Sequence, residues 1–326
     1  MGINQLNKFI RGKCNNDHKH DAITPISLRN LAGKKIVIDT SIYMYKYAKD
    51  NHIIEGMFSM ISTLLHYNIT PIFIFDGKPP IEKDKLIAER RVKKKNAEKK
   101  YNKLKQDLAL LGKSQMYINN NKQLQKYKKE CTRIKWYNIV DIKEMMRFFG
   151  VEYHEAEQEA DKLCASMVIG GYAWACLSED TDLFVYGCPR ILRYISFMTN
   201  KVVLYNLSNI LKILNISQKV FTQLCVLTGT DYNTGVSDIY ILYNEYENYR
   251  KNNSSLSFCN WIVKNKVCTS LDIQEYINIH KMFLVEPYNC ANKKTLTPPD
   301  YSSLKKFLET FNFIFINNEL SVPNET

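Results

Sequence analysis

In the stretch ACLSEDTDLFVYG, residues 175–187, an apolar run passes straight into Glu179, Asp180 and Asp182 and then returns to apolar residues. The pattern has two earlier counterparts, since KKIVIDT carries Asp39 and TPIFIFDG carries Asp76. Glu159 and Asp161 open EADKLCASMVIGG, and Asp231 stands near the end of LTGTDYN. Taken singly, an Asp after a strand is a turn residue, and an acid at a helix start is a cap or a dipole partner. Seven of these carboxylates, all but Glu179, at converging positions are different, because they repel one another unless cations hold them. Oxygen ligands with no His or Cys beside them suit Mg²⁺ or Mn²⁺. The chemistry on offer is that of a divalent metal site.

For those acids to meet, the runs that carry them must be strands ending at one edge of a sheet. KKIVIDT (34–40) and TPIFIFDG (70–77) are short β-rich runs separated by the helical EGMFSMISTLLHY. Further on, GVEYHEA predicts a strand, EADKLCASMVIGG a helix ending at paired glycines, and AWACLSED another strand. This βαβ alternation predicts an α/β fold with a mainly parallel sheet covered on both faces. In such sheets ligands bind at the carboxyl ends of the strands, where these acids sit. From about Leu207 onward the pattern is helical, without a linker, and is read as a C-terminal extension. No internal repeat is evident.

The net charge of +12 is localised: between Lys78 and Lys135 there are 19 Lys plus Arg against six Asp plus Glu, and the rest of the 326 residues is close to neutral. Too few acids lie in that segment to pair the cations within a helix, so an anionic polymer is the expected partner. Ala97, Tyr101, Leu104, Leu108 and Leu111 recur at spacings of 4, 3, 4 and 3, and Leu124, Tyr127, Cys131 and Ile134 repeat the pattern beyond GKSQMYINNN. Two amphipathic helices joined by a polar turn are predicted, forming a charged arm. The apolar runs fall far short of the roughly 20 residues of a membrane span, so no membrane partner is expected. The nine cysteines form no C-x-x-C pair, which fits a reducing intracellular compartment.

At this point the sequence resembles the flap endonucleases of the structure-specific 5′-nuclease superfamily, which have a PIN-like core. The resemblance covers roughly residues 1–250 and rests on MGI, IVIDTSIYMY, FIFDGKPP, a basic arm with ERR, EAD, LSEDTDLFVYG and LTGTDYN, all in the family's order. It implies a nuclease core over 1–235 with a basic helical arch inserted at 78–136, and a helical extension over 236–326. It also implies two Mg²⁺, with Mn²⁺ as a substitute. Asp39, Asp76, Glu159 and Asp161 would serve mainly the first ion, and Asp180, Asp182 and Asp231 the second. Asp161 stands where the family usually has Glu. Lys83 and Arg90, seven and 14 residues after Asp76, match the two cations that steer the scissile phosphate. Tyr45 matches an aromatic that stacks on a base beside the cut, and Gly2 an N-terminal glycine close to the DNA. Arg91, Lys93 and Lys94 of the arm are expected to bind nucleic acid as well. The implied activity is hydrolysis of DNA phosphodiesters at 5′ flaps or branched junctions, or from a 5′ end, in replication, repair or recombination. The source would be a divergent organism or a large DNA virus.

Two departures mark this chain. Where the family reads Gly-Ile-Gly in a hairpin that binds K⁺ and clamps duplex, this chain has Asp238-Ile239-Tyr240. The K⁺ site is therefore not carried over with the resemblance. No Q-x-x-aliphatic-x-x-aromatic-aromatic segment is found, so docking on a sliding clamp is not expected. The alternatives are an RNA-directed endonuclease of the same superfamily, a non-catalytic nucleic-acid binder that would normally have lost a carboxylate, and a transferase reading of the D-x-D in EDTD that leaves the other acids unexplained.

Overall fold

The three apolar runs that lead into acids become adjacent parallel strands at the centre of one sheet. The computed structural model describes residues 2–14, 21–110, 116–252, 255–267, 273–289 and 297–315. Seven strands, β1 (Ile23–Ser27), β2 (Lys35–Asp39), β3 (Thr70–Phe75), β4 (Glu152–Glu155), β5 (Ala175–Leu177), β6 (Arg190–Ser196) and β7 (Lys201–Asn206), lie in the order β1-β7-β6-β5-β2-β3-β4. β2 pairs in parallel with β3 and β5, and the parallel set continues to β4 on one side and β6 on the other. The sheet is mainly parallel, as the alternation implies. Its antiparallel flank, where β7 pairs with both β6 and β1, carries no such signal in the sequence. The turn between β6 and β7 is FMTN, with Asn200 at φ +51°, and it lacks the Asn-Gly or Asp-Gly pair that marks tight hairpins.

The two-residue period of the strands divides the interior into two apolar cores. Val37, Ile72, Ile74, Cys176 and Ile191 face one layer, while Ile36, Ile38, Phe73, Phe75, Leu177 and Leu192 face the other. The first layer is built from α1 (Leu6–Cys14), α7 (Ala160–Ile169), α8 (Asp182–Val185), α9 (Leu207–Leu214), α10 (Gln218–Thr228), α11 (Ile239–Lys251), α12 (Phe258–Lys264) and α13 (Ile273–Met282). The second comprises α2 (Thr40–Ala48), α3 (Ile53–His66), α6 (Trp136–Phe148) and α14 (Tyr301–Glu309). Among the described residues, the chain from Leu207 therefore covers one face with five helices, and α14 lies against the other. There Leu304 and Leu308 are buried, and Phe307 lies 5.7 Å from Phe148 between ring centroids.

The basic segment forms α4 (Asp84–Leu110) and α5 (Met116–Cys131), packed against each other. Ala97 is buried, and Tyr101, Leu104, Leu108, Leu124, Tyr127 and Cys131 are half-buried along the seam, with exposed lysines between them. Arg133 ties the pair by donating to Glu98, Nη2 to Oε2, at 3.1 Å. Leu111 of the expected seam lies outside the described residues. α5 already begins at Met116, inside the stretch read as a polar turn, because Met116 and Tyr117 extend the helical run toward the hairpin end. Among the described residues no single helix is long and apolar enough to cross a membrane.

Candidate metal centre

Strand ends, one helix start and one loop put the acids at the carboxyl edge of β2, β3 and β5. Asp39 is the last residue of β2, buried, and its Oδ2 accepts a hydrogen bond from Ser178 Oγ at 3.2 Å. Burial, and then the charges of Asp76 and Asp180, push its carboxyl up to about 8. Asp76 follows β3 directly, and its Oδ1 accepts the backbone N–H of Ala160 at 2.9 Å, locking the strand end to the first turn of α7. That turn carries Glu159 as its N-terminal flanking residue and Asp161 within it. Asp161 is buried, and its pKa is raised well above the ordinary carboxylate range by that burial and by Glu159, Asp180, Asp182 and Asp39.

The loop after β5 is held by its own polar groups. Ser178 Oγ accepts from the N–H of Asp180 at 3.1 Å, and Asp180 Oδ1 accepts from the N–H of Asp182 at 3.2 Å. Asp182 opens α8 and is only 2% exposed, and its Oδ1 is buried without a hydrogen-bond partner among the described residues. Burial, then Asp180, raises its pKa. Asp180 is also raised, chiefly by burial. Asp231 sits in the turn after α10, fixed by a bond from Tyr232 N–H to Thr230 Oγ1 at 3.1 Å and by the bridge between Thr230 and Asn233. Only glycine fits at 235 in that turn, because a Cβ there would lie 1.7 Å from the carbonyl oxygen of Thr228.

Two cations reach this cluster. Lys83, just before α4, is 6% exposed, and its Nζ donates to Glu159 Oε1 at 2.5 Å and to Asp231 Oδ2 at 3.4 Å. Burial alone would lower its pKa, but Glu159, Asp231 and Asp161 outweigh that and raise it, so the ammonium stays charged. Arg90 on α4 is half-exposed and donates from Nη2 to Asp231 Oδ2 at 3.0 Å. Among the described residues no three carboxylates are gathered closely enough to enclose one ion as they stand. The ammonium of Lys83 lies between Glu159 and Asp231, and unneutralised acids keep apart.

The residues present still fit divalent ions. Their donors are all carboxylate oxygens, three of those acids are buried with raised pKa values, and Asp182 Oδ1 has no other partner to satisfy it. A consequence can be measured. Carboxyls raised in the folded state bind more protons than in the unfolded chain between the ordinary Asp range and about pH 8, so metal-free protein should lose stability as pH rises through that window, by up to ~1.4 kcal/mol per unit for each such group. Mg²⁺ favours the ionised forms and should flatten the curve. Melting temperatures in EDTA and in Mg²⁺ between about pH 5.5 and 8.5 test this, and a rise with pH in EDTA would refute it.

The other sequence-predicted residues surround the cluster. Gly2, at φ +82°, packs so tightly that a Cβ would lie 2.3 Å from Thr181 Oγ1, 2.4 Å from Asp180 Oδ1 and 2.6 Å from Asp182 Oδ1. Ile3 N–H donates to Thr181 Oγ1 at 2.9 Å. Tyr45 on α2 and Lys94 on α4 touch at the wall of a cavity of about 1470 Å³ between α2, α4 and α5, with Lys94 Nζ 4.7 Å from the Tyr45 ring centroid and donating to its hydroxyl at 3.4 Å. Arg90, Lys46, Lys122 and Lys126 line the same cavity. Arg91 and Lys93 are exposed on α4 and do not line it. Sequence reasoning missed Tyr232, whose hydroxyl donates to Glu159 Oε2 and whose ring lies 4.6 Å from Lys83 Nζ. Its position beside Asp231 in LTGTDYN was the available signal.

Comparison with known proteins bears on the family and the fold. Residues 1–97 match the XPG N-terminal domain and residues 150–231 the XPG I-region, together more than half of the chain. The chain is 26% identical over 323 residues to Flap endonuclease 1 of Meyerozyma guilliermondii, covering 91% of this chain and 82% of that protein. The fold is similar to the catalytic core of Rad2 in complex with DNA substrate (TM-score 0.65, 21% identity, 94% of this chain and 93% of that one). It is also similar to flap endonuclease-1 from Methanococcus jannaschii (TM-score 0.61, 25% identity, 89% and 90%). The chain belongs to the flap endonuclease family of metal-dependent nucleases.

Proposed function

We propose that this protein hydrolyses DNA phosphodiesters at single-strand/double-strand junctions as a structure-specific 5′ nuclease, using two divalent ions held by Asp39, Asp76, Glu159, Asp161, Asp180, Asp182 and Asp231. The observation that carries this reading is the placement of Lys83 and Arg90 on the same carboxylate oxygen of Asp231, with Arg90 also lining the cavity beside the basic arch. Mg²⁺, when bound, supplies Lewis-acid stabilisation of the reacting phosphate and lowers the pKa of a bound water. The chain's own residues do the rest. The carboxylates set the positions of the ions. Lys83 and Arg90 place positive charge beside the phosphate as it gains negative charge. Tyr45 presents a ring face at the cavity wall for a base to stack on. The nuclease unit spans 1–235, with the arch at 78–136, and 236–326 is a helical extension. Cleavage of a panel of 5′-flap, nicked, blunt, Holliday-junction and RNA substrates in Mg²⁺ tests the reading. Absence of cleavage on every substrate would overturn it in favour of a binding protein, and cleavage of RNA alone would move it to the RNA-directed branch.

The Asp238 departure has a structural role that bears on duplex grip. Asp238 caps α11, with Oδ1 accepting Tyr240 N–H at 2.8 Å and Oδ2 accepting Gln5 Nε2 at 3.0 Å. A carboxylate at this helix start repels a phosphate, so duplex affinity falls to the basic side chains of the arch. Binding of flap DNA should then weaken with Na⁺ and K⁺ along closely similar slopes, about 0.9 per phosphate neutralised, since both act through counterion release. Filter binding in the two salts checks this. Much tighter binding in K⁺ than in Na⁺ at equal ionic strength would show that a K⁺ site exists in this chain.

A further inference from the structure

Behind the loop that carries Asp180 and Asp182 lies a buried arginine with no part in the mechanism above. Arg193 is on β6 and 4% exposed. Its Nη2 donates to the backbone carbonyl of Glu179 at 2.7 Å, its Nη1 donates to Asn7 Oδ1 of α1 at 2.9 Å, and its Nε lies 3.6 Å from Glu179 Oε2. The guanidinium therefore holds the peptide immediately before Asp180 from one side and the N-terminal helix from the other. Tyr194 joins the grip, since its N–H donates to Glu179 Oε1 at 2.6 Å and its hydroxyl accepts from Asn7 Nδ2 at 2.8 Å. The strand is distorted at this point. The β6–β7 register shifts between Arg193 and Ser196, and Tyr194 adopts φ +57°, a conformation a bulky residue rarely takes. Such strain persists where surrounding contacts fix it, and it clusters at functional sites. Rings of Tyr194, Tyr205 and Phe184 lie 5.2, 5.6 and 5.9 Å from the guanidinium carbon and keep it in place.

We propose that Arg193 is a positioning residue for the second metal: by fixing Glu179 it sets where the Asp180 and Asp182 carboxylates stand, and through Asn7 it seats the N-terminal segment against them. α1 starts four residues after Gly2, whose backbone abuts both acids, so the same anchor defines the front and the back of the loop. This inference rests on the metal reading of those two acids. Lysine cannot replace the fork, because one ammonium cannot meet a carbonyl, an amide oxygen and a carboxylate held in three directions.

The test is Mn²⁺ binding by titration calorimetry on DNA-free protein, comparing wild type, Asp182→Ala and Arg193→Lys, with flap affinity measured in EDTA. Arg193→Lys is expected to weaken Mn²⁺ binding about tenfold to a hundredfold while metal-free flap affinity stays within about twofold, the size typical for groups that orient ligands from behind. Unchanged Mn²⁺ affinity in a variant with native circular dichroism overturns the proposal, as does an equal loss of metal-free flap affinity, which marks a general structural role. If Arg193→Lys does not fold, Glu179→Gln decides the question: it leaves the backbone bond and removes the ion pair, so several-fold weaker Mn²⁺ binding supports the anchor and unchanged binding refutes it. Wild type and Asp182→Ala binding Mn²⁺ equally would instead refute the metal assignment itself.

Discussion

Asp182→Ala is expected to abolish cleavage in Mg²⁺, by about a thousandfold or more, which corresponds to ~4 kcal/mol of transition-state stabilisation, while flap binding stays largely intact. Asp182 is buried at the start of α8 and does not line the cavity that Lys94 and Lys126 line. Its carboxylate is costly in the metal-free fold, since Oδ1 is buried with no hydrogen-bond partner among the described residues and burial and Asp180 oppose its ionisation. Removing it should therefore raise the melting temperature of the metal-free protein while it destroys activity, the opposite signs expected of a group kept for function at the expense of stability. Single-turnover cleavage, flap affinity in Ca²⁺ and a melt in EDTA read the three effects. Wild-type-like turnover would remove Asp182 from the site, and a large drop in metal-free stability would make it a structural residue.

The parts of this fold that were legible in the sequence are those in which one physical requirement dominates. Buried parallel strands need unbroken β-branched and aromatic runs, so KKIVIDT and TPIFIFDG announce β2 and β3 within two residues of their ends. Asp39, Asp76 and Asp180 were legible because they end or follow such runs. α7 ends at Ile169, just before the paired glycines, and the helical C-terminal region does begin at Leu207. The antiparallel β1, β6 and β7 were not legible. Arg190–Ser196 mixes two arginines and an outward tyrosine into an apolar run, and its pairing is decided by a bulge that no local pattern encodes. Tyr232 and Arg193 were hidden for a related reason: each acts on residues about 70, 14 or 186 positions away in the chain, and one sequence carries no trace of such proximity. The arch lay between these cases. Its charge and seam were visible, whereas the start of α5 at Met116 was masked by a run of Asn that reads as a turn.

Lys83→Ala and Arg90→Ala should slow the chemical step by about a hundredfold to a thousandfold each, the range typical for removing one fixed donor aimed at developing charge, and should weaken flap binding far less. The two cations do not point out into solvent as the exposed Arg91 and Lys93 do. Both are turned inward onto Asp231, and Lys83 is almost fully buried against Glu159 and the Tyr232 ring. A phosphate entering between them meets charge already fixed by Asp231, and at Lys83 little solvated, which favours the transition state over the ground state. Lys83→Ala carries a second effect that Arg90→Ala does not share. It strips the ammonium from between Glu159 and Asp231, leaving Glu159 without a cation and Asp231 with the half-exposed Arg90 alone, so metal-free stability should fall for Lys83→Ala and hold for Arg90→Ala. The measurements are single-turnover rate at saturating enzyme, flap affinity in Ca²⁺, and the Mg²⁺ dependence of the rate. Rates restored by excess Mg²⁺ would mean that the lysine had only organised the carboxylates. Unchanged rates at saturation with a large loss of affinity would reduce both cations to ordinary phosphate contacts. A slow step that neither more enzyme nor more Mg²⁺ rescues is the result expected of cations acting on the scissile phosphate itself.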